Sequence, residues 1–208
     1  MIDPRILEPR VDDEFAEWTR EVHRLVRVDT EFPDYPFRND GFVFAVDRDS
    51  TTYGNMLYIL EPLVERFGDD HITVWGRKRM TADFNGVYGW YPAYRIRTRD
   101  LTETYSVMMT TARPDLDGIP DAFEYAVDRF PIVGSSETWA VWSHWGWVIA
   151  LVHTPERMFI TETEQWPCIR FSEHTIPEIM PPRPWWQVPE QEVQEFFDNL
   201  RTYGHLPK

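Results

Sequence analysis

Two apolar periods alternate along this chain. Phe15, Trp18, Val22, Leu25 and Val26 recur at helical spacing and predict an amphipathic helix over 12–28. Asp12, Asp13 and Glu14 sit at its positive end, with Arg24 and Arg27 at its negative end. A proline-punctuated loop, 32–37, leads to a buried-strand candidate at 41–46, Gly-Phe-Val-Phe-Ala-Val. Residues 52–67 read two ways. Met56, Leu60, Val64 and Phe67 fit a helix capped by Gly68, whereas Pro62 within it implies a kink or a fresh start. Runs rich in Val, Tyr, Ile and Thr predict strands at 71–75, 84–91, 93–99 and 104–110. Residues 119–130 suggest a central helix with Pro120 in its first turn.

A hairpin is expected over 137–152, turning near 144–146, and a further strand at 157–162. Pro177, Pro181, Pro182, Pro184 and Pro189 make 165–189 an extended strap. Val193, Phe196, Phe197 and Leu200 mark a last helix at 189–202. The fold class that follows is α+β: a mostly antiparallel sheet flanked by N-terminal, central and C-terminal helices, in one domain over 1–208. Phe42–Arg48 and Phe123–Arg129 share five of seven residues, yet their flanks read as strand and helix, so they are not taken as a repeat.

The hairpin carries the densest aromatic signal. Trp139, Trp142, Trp145 and Trp147 fall within nine residues. Strict alternation points Trp139 and Trp142 to opposite faces of a strand. Both can be core only if both faces are covered. Otherwise one set forms an exposed docking face, where Trp is a favoured anchor.

Charge changes the picture of partners. Lys and Arg number 21 against 35 Asp and Glu, a formal net charge of −14 shared by both halves of the chain. Such a surface repels phosphate backbones, which makes nucleic acid an unfavourable partner, and it speeds encounter with basic proteins. Cys168 is the only cysteine, so no internal disulfide forms. No apolar run reaches membrane-spanning length, and the N-terminus lacks the apolar core of a signal peptide. The cytoplasm is the default location.

Candidate chemistry is sparse. Arg77-Lys78-Arg79 with Arg95, Arg97 and Arg99 set six cations against one acid, Asp83. On a strand, Arg95, Arg97 and Arg99 share one face, where they could grip a phosphate or carboxylate or meet an acidic neighbour. The segment from Arg113 to Glu124 resembles an EF-hand calcium loop, with Asp115, Asp117, Gly118, Asp121 and Glu124 at loop positions 3, 5, 6, 9 and 12. Arg113 occupies position 1, where a ligand aspartate is required. The alternative is a loop whose aspartates cap the following helix and pair with Arg113. Phe42–Val46 followed by Asp47 and Asp49 resembles the nucleophile loop of haloacid dehalogenase-type phosphatases, and 109–114 is similar to their second motif. That resemblance implies Asp47 and Asp49 as nucleophile and acid/base, but the downstream lysine and magnesium-holding acidic pair are not found. No histidine pair has metal-ligand spacing, and no cofactor is implied. Cys168 reads as a small buried hydrophobe, and Pro181–Pro184 as a strap packed on its own domain through Trp185 and Trp186.

Two function classes follow. The first is a protein-binding module, an inhibitor or immunity-type partner of a basic protein, resting on acidity and aromatic anchors. The second is an enzyme or small-ligand protein that uses the arginine row for an anion.

Overall fold

The computed structural model describes residues 7–47, 51, 56–77, 84–114, 120–147, 149–157 and 189–203. The fold is α+β, built on a six-stranded, wholly antiparallel sheet. In chain order the elements are helix α1 (Asp12–Leu25), β1 (Phe42–Asp47), α2 (Leu57–Phe67), β2 (His71–Trp75), α3 (Phe84–Tyr88) and β3 (Ala93–Arg97). A 3₁₀ turn (Thr98–Asp100) follows, then α4 (Leu101–Thr110), β4 (Ala112–Pro114), β5 (Pro120–Ala122), α5 (Phe123–Ala126) and β6 (Arg129–Gly134). The hairpin β7 (Ala140–His144) and β8 (Ile149–Thr154) and helix α6 (Glu190–Tyr203) complete the set. The sheet order is β1-β8-β7-β6-β2-β3, and β4 pairs with β5 in a separate two-stranded sheet.

Both faces of the sheet are covered. Val46, Ile72, Val74, Tyr94, Ile132, Trp139, Val141 and Val152 point into one core, packed with residues of α2, α3, α4 and α5. Their neighbours Ala45, Trp75, Ala93, Val133, Trp142 and Leu151 point into the other, with α1, the 26–37 segment and α6. Alternation along each strand thus feeds two cores, not one core and solvent. Trp139 and Trp142 have no exposed surface, and Trp147 is 6% exposed. These three are core and present no docking face. Trp145 is half-buried, set edge-on against Tyr125 with ring centroids 6.3 Å apart.

Three stretches differ from the reading of the sequence. Residues 84–88 and 101–110 are helices, not strands. Phe84 and Tyr88 stack four residues apart at 4.3 Å, and Leu101, Tyr105, Met108 and Met109 make one buried helical stripe. The 3.6-residue period outweighs the β-propensity of Val, Tyr and Thr once that stripe has a core to enter. The expected helix at 119–130 shrinks to the single turn α5, and 129–134 becomes a central strand. Strand β6 tolerates Pro131 because the described β2 ladder covers Ile132–Gly134 and resumes only at the Arg77–Arg129 bridge, which leaves Pro131 without a β2 partner.

Other expectations hold. Helix α2 forms over the expected stretch and runs through Pro62. Gly68 closes it at φ 67°. The heptads beginning at Phe42 and Phe123 form a strand and a helical turn. The expected strand at 157–162, apart from residue 157, and the strap at 165–189, apart from Pro189, lie outside the described residues, as do Cys168 and Pro181–Pro184. Among the described residues no helix is long and apolar enough to cross a membrane.

Candidate functional site

Among the described residues, strand β3 is an edge of the sheet. Its residues Arg95 and Arg97 lie opposite Thr73 and His71 of β2, so all four side chains share the face covered by α1. On α1 and the residue preceding its cap, Arg10, Glu14, Trp18 and Glu21 recur at spacings of four, four and three, which aligns them along one side of the helix. The gap between this stripe and the strand row is a hollow of about 970 Å³. Arg10, Glu14, Trp18, His71, Arg95, Arg97 and Arg99 line it, with Glu8, Asp70, Thr98 and Asp100 at its sides.

The floor is fixed. Arg95 lies over the Trp18 ring at 4.6 Å, pairs with Glu21, and donates to the Thr73 hydroxyl at 3.4 Å. Glu21 also approaches His71, its Oε1 3.5 Å from Nε2. Burial acts to raise the Glu21 carboxyl, but contact with His71 and the charge of Arg95 outweigh it, so Glu21 titrates below the usual carboxylate range. Glu8 is occupied by Arg113, which rests on Trp90. The mouth is looser. Arg99 stands beyond the end of β3, in the 3₁₀ turn, 3.6 Å from Asp100. Arg97 is exposed, and among the described residues neither its guanidinium nor that of Arg10 has a carboxylate within bonding distance.

A second polar cluster ties the 26–37 segment to the far end of the sheet. Glu31 accepts from the buried Arg129 guanidinium at 2.5 Å and meets His144 Nε2 at 3.2 Å. Arg129 also donates to the Thr30 carbonyl, and Phe32 stacks on His144 at 5.1 Å. The His144 contact foremost, and then Arg129, hold Glu31 down at about 2 against the opposing effect of burial. This cluster is filled by its own members and serves as a clasp.

The remaining candidates from the sequence are placed as follows. Asp47 ends β1, and only its backbone is described; Asp49, Asp115 and Asp117 lie outside the described residues. Asp121 falls in β5, and Glu124 is 5% exposed within α5. The strand preceding the loop is the short β4, and Arg113 pairs with Glu8. Among the described residues no group of three His, Cys, Asp or Glu side chains is placed to hold a metal. Sequence reading passed over Arg10, Glu14, Glu21 and His71. The 10-14-18-21 spacing was visible in the chain, but only the fold puts that stripe against β3. Comparison with protein-family models, curated proteins and solved structures finds no match.

Proposed function

We propose that this chain is a binding protein whose α1–β3 hollow receives a small ligand bearing an anionic group. One observation supports this: arginines from two segments far apart in the chain, Arg10 before α1 and Arg95, Arg97 and Arg99 on β3 and the turn that follows it, line a single hollow. Guanidiniums offer planar, paired donors suited to carboxylate and phosphate. Arg95 is committed to Glu21 and Trp18, so it shapes the floor, while Arg97 and Arg10 supply the unspent donors. The test is calorimetric titration with citrate and inorganic phosphate at low ionic strength. Binding is expected in the wild type, weakened at least tenfold (about 1.4 kcal/mol) by Arg97→Gln and unchanged by Arg66→Gln on α2. No binding of either anion, or wild-type binding by both Arg97→Gln and Arg10→Gln, overturns the reading.

The formal charge of −14 favours a second reading, an immunity-type partner of a basic protein. It now rests on charge, because Trp139, Trp142 and Trp147 are core. Purification from the native host at low and moderate salt with no accompanying protein counts against it.

A further inference from the structure

We infer that the ligand of the hollow is a zwitterion, an amino acid or short peptide with a free ammonium and a free carboxylate; this rests on the anionic-ligand reading above. The warrant is the sign of the charges left over. Each wall of the hollow presents one guanidinium and one carboxylate that do not pair with each other. On the helix side these are Arg10 and Glu14, whose carboxylate accepts only the Arg10 backbone N–H, at 2.8 Å, among the described residues. On the strand side they are Arg97 and Asp70. These two belong to adjacent rungs of the β2–β3 pairing, since Arg97 lies opposite His71 and the Asp70 carbonyl accepts the Thr98 N–H at 2.9 Å. The Asp70 carboxylate has no cation or donor of its own among the described residues.

A bare anion drawn to Arg97 and Arg10 would therefore lie beside two uncompensated carboxylates, and the like charges would offset part of its attraction, leaving it bound but more weakly than a ligand of mixed charge. A ligand that brings its own cation relieves both. Its carboxylate takes the guanidinium donors, and its ammonium donates to Asp70 or Glu14. The committed acids are not available for this role, because Glu21 is held by Arg95 and Glu8 by Arg113. At about 970 Å³ the hollow has room for several residues.

The test compares trialanine with its N-acetyl and C-amide forms by calorimetry, alongside inorganic phosphate and citrate. The wild type is expected to bind free trialanine at least tenfold more tightly than either capped form. Asp70→Asn combined with Glu14→Gln should remove the discrimination against N-acetylation, and Arg97→Gln the discrimination against the C-amide. Asp70 and Arg97 are exposed and Glu14 is half-buried at the surface, so unchanged thermal midpoints are expected for these variants. If free and N-acetylated peptide bind equally while Arg97→Gln weakens both, the zwitterion inference falls and anion binding stands. If neither the peptides nor the inorganic anions bind, both readings fall together.

Discussion

Glu31 holds Arg129 and His144 at the sheet end, and its removal takes the carboxylate from Arg129, which is 3% exposed. Glu31 itself is partly exposed, which places Glu31→Gln between the ~1 kcal/mol of a surface pair and the ~3–5 kcal/mol of a fully buried one, at about 2 kcal/mol. The sign with pH follows from its lowered carboxyl. The stabilisation is complete above the ordinary value of 4.5 and is lost as pH falls from there toward about 2. Urea melts between pH 7 and 2 should show that loss in the wild type and a flatter profile in Glu31→Gln. His153 has the same direction of effect by a different route. Burial above all holds its ring below 6.5, against weaker contributions from the Asp40 and Asn39 backbone and the Asp40 charge that act to raise it. A neutral ring is favoured in the folded state, so stability present above pH 6.5 declines as pH drops below it. Its proton NMR titration should have a midpoint under 6.5; a midpoint above that value contradicts the account.

Within the elements, the junction of β6 with the β7 hairpin shows how little space the core leaves. The buried Trp139 indole donates to Asp69 Oδ2 at 2.7 Å directly over Gly134. A Cβ on Gly134 would meet both the indole nitrogen and the carboxylate at 2.5 Å. Gly134→Ala should therefore break that bond and destabilise by about 2 kcal/mol, the range of a buried polar group stripped of its partner. Trp139→Phe removes the donor together with part of the buried ring and should lose at least as much. Double-mutant analysis should find the two far from additive, because each removes the same bond. Additive losses would show that Gly134 acts through something other than the Asp69–Trp139 contact. The segment 101–110 carries Tyr, Val and three Thr, which favour strands, yet its apolar residues keep helical spacing and face a core.

For the molecule as a whole, 35 acids against 21 bases set the sign of its interactions. Many of the bases are already committed, as in Arg24–Glu137, Arg66–Glu156, Arg77–Asp29 and Arg95–Glu21. The excess of carboxylates repels across the surface, so screening should stabilise the fold. Raising sodium chloride from 10 to 150 mM is expected to raise the thermal midpoint, while weakening anion binding in the hollow. A midpoint that falls with salt would mean that the ion pairs outweigh the repulsion.

The chain by itself determined the α+β class, the hairpin, both terminal helices and the surplus of acid, because these depend on local period and on composition. It placed Arg95 and Arg97 on one face of a strand for the same reason. Tertiary structure alone decided the fate of the tryptophans: alternation sends Trp139 and Trp142 to opposite faces, and only the presence of helices on both sides makes both faces interior. It decided the hollow as well. Arg10, Glu14 and Glu21 come from the first helix and the residues just before it and Arg97 from β3, and long-range packing, which no local pattern encodes, brings their charges together.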